Sequence, residues 1–347
     1  MRIIVVTQQV DPEHPALAAT IAKLRALAAR VDELDVMALG GSASALPQNC
    51  RLELFGGRAK LLRGLRFWRV LRGELRREPR CDLVLAHMCP IYAILAAPFT
   101  RRREVPLALW YTHWKRTPTL RLAGRLVDHI VSVDERSVPL RSPKVRAIGH
   151  GIDPSEFPCH EPPSREARVL RVLVLGRYSR AKGIETILRA TQIALSSDLD
   201  LVVDIHGPAL TRAEIEHKEY LNVLREELGL GDRVLIGEAL SRTQVPALLA
   251  DHDLLVNNME AGALDKVVFE AAASCTPVIA SNPGFDALLP AELRFRRSQA
   301  DELAERLIAF SRLDLDRRRA LGRLLRERVC ESHSVDSWAE GIIGLTQ

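Results

Sequence analysis

A glycine, an arginine and a lysine stand close together in the stretch Val169 to Gly183, which reads VLRVLVLGRYSRAKG. An apolar run ends at Gly176, Arg177 follows at once, and Lys182 comes just before Gly183. A strand that ends in a glycine turn and leads into a helix directs backbone N–H groups at one point. Two cations beside that point favour a phosphate or a pyrophosphate. The stretch therefore predicts an anion site that holds the leaving group of a nucleotide-activated donor.

A second stretch, Val256 to Ala280, joins a predicted strand to a helix through a polar loop that contains glycine. We expect the helix to begin near Asp265, whose carboxylate suits the N-cap or the first turn. The free N–H groups at the start of this helix again favour an anion. Glu270 follows inside the helix, and its carboxylate is suited to accept hydrogen bonds from two ribose hydroxyls. The alternative for Glu270 is a solvated helix carboxylate.

Arginine dominates the basic residues of the chain. Lysine and arginine together number 49 against 44 acidic residues, a formal net charge of +5, and only seven of the 49 are lysines. An arginine-rich composition makes any single arginine weak evidence for a function. Lys182 and Lys266 are more informative, because both lie in the two stretches described above.

Two α/β domains with doubly wound parallel sheets must position these residues. The length of 347 residues fits two domains at roughly 150 residues each. Apolar strand patterns alternate with helical patterns over 1–155 and again over 169–330, which predicts parallel sheets. The proline-containing stretch 156–168 is the predicted linker. Residues 331–347 are the predicted final helix, for which packing back on the N-terminal domain is one arrangement.

Several classes of protein are disfavoured by the sequence. No apolar run approaches the roughly 18 residues that span a bilayer, and the first residues lack the pattern of a signal peptide. The six cysteines show no CxxC and no paired spacing, so we expect reduced thiols in a cytoplasmic protein. The histidines are not spaced as metal ligands. No GxGxxG follows the first strand, which disfavours dinucleotide oxidoreduction.

A basic amphipathic helix is predicted from Arg58 to Arg77. Apolar residues recur near helical spacing at Leu61, Leu65, Trp68, Leu71 and Leu75, and arginines crowd the remaining surface. One interpretation is contact with an anionic membrane, which would place the protein at the inner membrane face. The other is an ordinary outer helix whose apolar face covers the sheet. Nucleic-acid binding is disfavoured, since no stacking-aromatic pattern or reader motif accompanies the patch.

Polar side chains at strand ends mark a second group of candidates in the N-terminal domain. His113 follows the apolar stretch Pro106 to Trp110, and ligands in open α/β sheets bind at the carboxyl ends of strands. His113 is therefore a candidate catalytic residue. Further candidates for contact with an acceptor or for lining a cleft are Gln9, Asp11, His87 and His150. For His87 and His150, a hydrogen-bonded structural role is the alternative.

Both informative stretches resemble a known family. GRYSRAKG resembles the GR…KG phosphate-binding motif of the family 4 glycosyltransferases, which have the GT-B fold of two Rossmann-like domains facing across a cleft. GALDKVVFEAAASCTPVIAS resembles the E-x7-E region of that family, in a branch with an LDKVV-type sequence. YTHW matches the place of a histidine beside the reaction centre, and GHGID matches the turn before the linker.

The resemblance implies a retaining, metal-independent glycosyltransferase without a cofactor. It would move a sugar from a nucleoside-diphosphate sugar, such as a UDP- or GDP-sugar, to a hydroxyl acceptor. Arg177 and Lys182 would bind the pyrophosphate beside Gly176 and stabilise the leaving group. Glu270 would hold the ribose, and His113 would touch the donor sugar. The loop that would cradle the sugar and the phosphate contains Gly262, Ala263, Leu264, Asp265 and Lys266.

One position departs from the family pattern. Gly262 stands where the first glutamate of E-x7-E is expected, and Asp265, Lys266 or Glu260 are candidates to take over part of its role. The missing carboxylate motivates an alternative, a GT-B-like nucleotide-binding protein with a decayed active site and no transferase activity. A sugar-nucleotide hydrolase or epimerase is a third interpretation, and it would consume the donor without an acceptor.

Overall fold

The computed structural model describes residues 1–12, 14, 17, 19–113, 115–162, 169–262 and 264–346. Two compact units make up the chain. The first contains Met1–Asp153 and Ser332–Gln347, and the second contains Pro154–Glu331. The predicted donor-binding residue Ala263 and positions 163–168 of the predicted linker lie outside the described residues.

Parallel strands form one sheet in each unit. The first unit contains β1 (Arg2–Val10), β2 (Glu33–Gly41), β3 (Cys50–Leu54), β4 (Leu83–His87), β5 (Leu107–Trp110), β6 (His129–Ser132) and β7 (Val145–Ala147). The second contains β8 (Leu170–Leu175), β9 (Leu201–His206), β10 (Val234–Ile236), β11 (Leu254–Asn257) and β12 (Val278–Ala280). The strand orders are β3-β2-β1-β4-β5-β6-β7 and β10-β9-β8-β11-β12. All pairings within these sheets are parallel.

Helices connect the strands of both sheets. The helices, in chain order, are α1 (Ala19–Ala28), α2 (Lys60–Glu74), α3 (Pro90–Arg103), α4 (Pro118–Leu126), α5 (Ile184–Ser196), α6 (Arg212–Glu227), α7 (Val245–Ala250), α8 (Lys266–Ala273), α9 (Ala300–Ser311), α10 (Leu315–Ser332) and α11 (Val335–Ile343). Continuous apolar runs such as Ile3 to Val6 are almost fully buried, as expected for parallel strands covered on both faces. The predicted fold class, two doubly wound α/β domains, is confirmed. Among the described residues, every helix is too short or too polar to cross a membrane.

The final helix α11 packs within the first unit. Trp338 of α11 meets Trp110 at the end of β5, with ring centroids 5.8 Å apart. The ammonium group of Lys23 in α1 lies 5.3 Å from the Trp110 ring. A backbone hydrogen bond also holds the segment before α11, because the N–H of Ile152 donates to the His333 carbonyl at 2.8 Å. Both ends of this unit's sequence are therefore fixed to its sheet.

The prediction of reduced cysteines is wrong for one pair. Cys159 and Cys275 form a disulfide across a sequence separation of 116 residues. The fold brings the two cysteines together at the C-terminal end of α8. There the N–H of His160, which follows Cys159, donates to the carbonyl of Ser274, which precedes Cys275, at 3.3 Å. No local spacing carries this information, and a pairing across separate elements is visible only in the folded chain.

Removing this disulfide should weaken the second unit. A Cys159→Ser substitution is expected to lower its free energy of unfolding by about 2–4 kcal/mol, because the cross-link restricts the unfolded chain. Urea unfolding followed by far-UV circular dichroism measures the change, with Cys330→Ser, at an exposed free cysteine, as the control. Alkylation in denaturant without reductant should label Cys50, Cys81, Cys89 and Cys330; labelling of all six cysteines would contradict the bond.

The buried face of α2 differs from the predicted one. Phe67 and Leu71 are fully buried, whereas Leu61 is 85%, Leu65 58% and Trp68 37% exposed. The predicted apolar face is therefore only partly correct, since Leu71 and Leu75 are buried while Leu61, Leu65 and Trp68 are exposed. Phe67 covers the sheet beside Leu71, and it meets Phe55 and Tyr92 with ring centroids 5.2 and 4.9 Å away.

Candidate functional site

The second sheet reverses its winding direction between β8 and β11. Strand β8 pairs with β9 on one side and with β11 on the other. In open α/β sheets, ligands bind outside the carboxyl ends of the strands at such a switch point. A small cavity opens there, and its lining includes Gly176, Lys182, Asn257 and Asn258. The sequence-predicted anion site therefore lies where the topology alone would place a ligand.

Two glycines give this site its shape. Gly176 has φ +144°, and a Cβ added there would lie 2.7 Å from both Cε and Nζ of Lys182. The lysine side chain therefore lies across the glycine backbone. Gly183 has φ +55° and caps the start of α5, and its carbonyl accepts a hydrogen bond from Asn258 Nδ2 at 2.9 Å. A side chain at either glycine would displace a polar group that lines the cavity.

The ammonium group of Lys182 is held by a carboxylate. It forms an ion pair with Asp265, and Asn257 Nδ2 donates to the same Asp265 oxygen at 2.8 Å. Asp265 occupies the N-cap of α8, yet its side chain caps no backbone N–H of that helix. The Asp265 carboxylate thus orients Lys182 and does not cap α8. The backbone N–H groups in the first turn of α8 therefore donate no hydrogen bond to the N-cap side chain.

Arg177 has an acidic partner too. Its guanidinium contacts Glu214 at 2.8 Å, and Glu214 also accepts the N–H groups of Leu210 and Thr211 at 2.9 and 3.0 Å. Burial acts to raise the pKa of Glu214, but Arg177 and the two N–H donors hold it below its usual range. A fixed, ionised carboxylate therefore orients the Arg177 side chain, which is half-exposed.

Glu270 lies buried inside α8 between two cations. Its carboxylate contacts Lys266 Nζ at 2.5 Å and Arg242 Nη1 at 2.9 Å. Burial acts to raise the pKa of Glu270, and the charges of Lys266 and Arg242 lower it below the usual range. Arg242 is fixed in turn, since its Nε donates to Glu156 at 3.0 Å. The alternative of a solvated carboxylate is therefore wrong, and the group is ionised and held in place.

The first sheet has its own switch point, between β1 and β4. Gln9 lies near the end of β1, where its amide covers Gly40: a Cβ at Gly40 would lie 2.8 Å from Gln9 Oε1. His87 ends β4, is 6% exposed, and stacks on Trp110 with centroids 6.4 Å apart. Its Nδ1 lies 3.4 Å from Thr7 Oγ1, and its Nε2 has no hydrogen-bond partner among the described residues.

His87 should make the first unit sensitive to acid. Burial, and then the charge of Lys23, lower the pKa of His87 to about 3, against about 6.5 in an unfolded chain. Between these values the unfolded chain binds a proton that the folded chain does not. The stabilising contribution is therefore complete above pH 6.5 and is lost as the pH falls toward 3.

We expect a loss of about 2 kcal/mol in the free energy of unfolding between pH 8 and pH 5 from this group. A His87→Gln variant should show a correspondingly smaller change over that range. Urea unfolding followed by tryptophan fluorescence measures the difference, and His14→Gln, at a half-buried histidine of the same unit, supplies the control. Equal pH dependence in wild type and His87→Gln would contradict the prediction.

The remaining candidates lie at other places in the first unit. His113 is exposed after β5, its Nδ1 accepts the Lys115 N–H at 2.9 Å, and burial followed by the charge of Lys115 lowers its pKa. His150 is buried between two glycines with positive φ. Asp11 is half-buried, and its carbonyl accepts the His14 N–H at 3.4 Å.

The structure gathers the predicted residues of the second unit into three groups. Gly176, Lys182 and Asp265 form the first. Arg177 with Glu214 forms the second, and Lys266 with Glu270 forms the third. Two other predicted residues of this loop belong to none of these groups. Leu264 is buried, and Gly262 has the positive φ of +114° that favours glycine. Among the described residues, no three His, Cys, Asp or Glu side chains come together as a set of metal ligands.

Sequence reasoning missed four polar residues of these groups: Asn257, Asn258, Glu214 and Arg242. The two asparagines could have been found from the sequence, because Asn257 is the last residue of an apolar strand and Asn258 follows it at the carboxyl edge of the sheet. The sequence contains no comparable pattern for Glu214 or Arg242. Each lies on an element distant in sequence from the residue with which it pairs.

Comparison with known proteins gives a family model that matches part of the chain and solved structures that share its fold. Residues 162–327 match the family model described as Glycosyl transferases group 1. A search of curated protein sequences gave no match. HepE (Alr3699) of Anabaena, solved in complex with UDP, is similar in structure with TM-score 0.77, 18% identity and 99% of each chain covered. A glycosyltransferase of Rickettsia africae gives TM-score 0.76 at 14% identity, covering 99% of this chain and 97% of that chain.

The sucrose-phosphate synthase of Thermosynechococcus elongatus is similar as well, with TM-score 0.73, 17% identity, and 99% of this chain and 98% of that chain covered. The two α/β units, their switch-point sites and these neighbours define a protein of the GT-B fold. The matched residues form most of the second unit and carry a group 1 glycosyltransferase domain. The protein is a glycosyltransferase.

Proposed function

We propose that the protein is a retaining, metal-independent glycosyltransferase of family 4. It transfers a sugar from a nucleoside-diphosphate sugar to a hydroxyl acceptor and uses no cofactor besides this co-substrate. One observation carries the proposal: Lys182 lies across Gly176 at the switch point of the second sheet, oriented by Asp265. HepE, which shares the fold, has been solved with UDP and with UDP-glucose. UDP is therefore the first nucleotide to test.

The pyrophosphate of the donor would bind between two cations and two helix starts. Lys182 and Arg177 are already held by carboxylates, so little side-chain freedom is lost when the ligand binds. The N-terminal turns of α5 and α8 add backbone N–H groups that favour an anion. Positive groups fixed before the reaction stabilise the charge that develops on the leaving phosphate, which is usually the largest single catalytic contribution.

Asp265 offers an answer to the missing glutamate at Gly262. Its carboxylate orients Lys182 and receives a second hydrogen bond from Asn257. A working transferase needs its cations fixed before the donor binds, and this network fixes Lys182 in that way. The intact pairs of Lys182 and Arg177 therefore favour a working transferase over the alternative of a nucleotide-binding protein without activity.

Glu270 is proposed to bind the ribose. Lys266 and Arg242 both contact the same oxygen of this carboxylate, Oε1. Because both cations keep the carboxylate ionised, it retains the acceptor capacity that two ribose hydroxyls need. Arg242 and Lys266 would act as positioning residues for this contact. His113 would touch the donor sugar.

Nucleotide release tests the proposal. UDP, GDP and ADP are first compared by thermal shift, since a ligand at 100 times its dissociation constant adds about 2.7 kcal/mol to stability. UDP release from a UDP-sugar is then followed with and without a hydroxyl acceptor. We expect release that depends on the acceptor, persists in EDTA, and gives a product with the donor's anomeric configuration by NMR.

Other outcomes separate the alternatives. Release without any acceptor would favour a hydrolase or an epimerase. Nucleotide binding without turnover across an acceptor panel would favour the decayed site. No thermal shift with any nucleotide would overturn the whole proposal. Cytoplasmic location is a separate proposal that this experiment does not address.

A further inference from the structure

Helix α2 has an apolar face that the fold leaves largely exposed. Leu61 is 85%, Leu62 57%, Leu65 58% and Trp68 37% exposed. At 100° per residue, Leu61, Leu65 and Trp68 fall on one side of the helix and Leu62 lies beside them. Contiguous exposed apolar surface on a soluble unit marks a site of interaction more often than isolated exposed residues do.

Basic residues surround these leucines. Between Arg58 and Gly73 the chain contains no acidic residue. The basic residues of the segment are Arg58, Lys60, Arg63, Arg66, Arg69 and Arg72. All of them are exposed except Arg63, which is half-buried. The surface therefore combines long apolar side chains with uncompensated positive charge.

Two buried side chains and two polar contacts fix the helix to the first unit. Phe67 and Leu71 are fully buried, and Arg66 Nη1 donates to the Gly56 carbonyl at 2.7 Å. Trp68 Nε1 donates to the Leu95 carbonyl of α3 at 3.1 Å. Because these contacts hold α2 in place, the exposed leucines are not needed for folding. They present a rigid, preformed surface.

We propose that this outer face of α2 docks on an anionic lipid bilayer. The leucines enter the boundary between headgroups and acyl chains, while the arginines and Lys60 remain at the lipid phosphates. Each basic residue near such a surface strengthens binding roughly fivefold. An exposed helix face whose leucines are interleaved with cations fits a lipid interface, whereas a nucleic acid would leave the leucines without partners. The proposal is independent of the nucleotide-sugar activity.

Sedimentation with lipid vesicles tests the docking surface. The full chain is mixed with phosphatidylcholine vesicles, either pure or containing about one third phosphatidylglycerol, at low and high salt. We expect binding to the mixed vesicles that is at least tenfold stronger than to pure phosphatidylcholine and that weakens with salt. Absence of binding to the mixed vesicles overturns the proposal.

Paired variants locate the contact. Leu61→Ser with Leu65→Ser should reduce binding at least tenfold, because two leucines no longer insert. Leu210→Ser with Val223→Ser removes two exposed apolar side chains from the second unit and should leave binding unchanged. Arg69→Gln with Arg72→Gln should weaken binding about 25-fold and reduce its salt dependence.

Two results would contradict this location. Unchanged binding in the leucine variant, or an equal loss in the control variant, would mean that the bilayer contacts another surface. Urea unfolding shows that each variant keeps its fold, followed by tryptophan fluorescence for the α2 variants and by far-UV circular dichroism for the control in the second unit. Retention of the chain by an acidic protein but not by vesicles would assign the face to a protein partner and overturn the lipid proposal.

Discussion

Replacing Lys182 by alanine will lower the rate of sugar transfer by about 100- to 1,000-fold. The ammonium group lies across Gly176 at the switch point and is held by Asp265, so it is positioned before the donor binds. Loss of a fixed cation facing a developing phosphate charge removes stabilisation chiefly from the transition state. We therefore expect kcat to fall far more than the affinity for the donor. Initial rates of UDP release at saturating donor and acceptor measure it.

A second variant separates charge from geometry. Gly176→Ala keeps Lys182, but its Cβ would lie 2.7 Å from Cε and Nζ of the lysine, and φ +144° is strained for alanine. A misplaced catalytic group can reduce the rate by about 100-fold. We expect a loss approaching that of Lys182→Ala, while Arg189→Ala, at an exposed arginine of α5, should leave the rate unchanged. A near-normal rate in Lys182→Ala would remove this lysine from the mechanism.

The residues around Gly176 were predictable because local rules place them. An apolar run fixes the strand, the glycine permits the turn, and α5 begins after Gly183. Parallel pairing then brings β8 and β11 to the same edge of the sheet, which places Asp265 close to Lys182. The partners Glu214 and Arg242 depend on how α6 and the loop before α7 pack, and no local pattern in the sequence encodes that packing.

Helix α2 shows why periodicity alone can assign the wrong face. Helical spacing places Leu61, Leu65, Trp68, Leu71 and Leu75 on one predicted face and leaves Phe67 out. The structure buries only Leu71 and Leu75 of these five. Phe67 is buried as well, because it joins an aromatic cluster with Phe55 and Tyr92. The disulfide between Cys159 and Cys275 is a similar case, because its two ends meet only through tertiary packing.

Replacing Arg2 by methionine will destabilise the first unit by about 3–5 kcal/mol. The guanidinium is fully buried; its Nε donates to Asp35 at 2.7 Å and its Nη2 to Glu74 at 2.8 Å. It also donates to the carbonyls of Glu74, Arg77 and Pro79, so it holds the C-terminal end of α2. Without it, the ion pairs that Asp35, Glu74 and Glu33 keep among the described residues are all with Arg77.

Urea unfolding followed by tryptophan fluorescence measures the free energy of unfolding of the first unit. All four tryptophans, Trp68, Trp110, Trp114 and Trp338, belong to the sequence of the first unit. Arg30→Met is the matched control, because Arg30 pairs with Asp336 at 2.9 Å on the surface, where an ion pair contributes at most about 1 kcal/mol.

A double variant distinguishes buried charge from lost packing. If uncompensated carboxylates cause the destabilisation in Arg2→Met, then adding Asp35→Asn removes one of them and should restore part of the stability. If lost packing is the cause, the second substitution should lower stability further, because Asp35 also binds Arg77 at 2.6 Å. Partial recovery would show that the Arg2 guanidinium stabilises this unit as the counter-charge to its acidic neighbours.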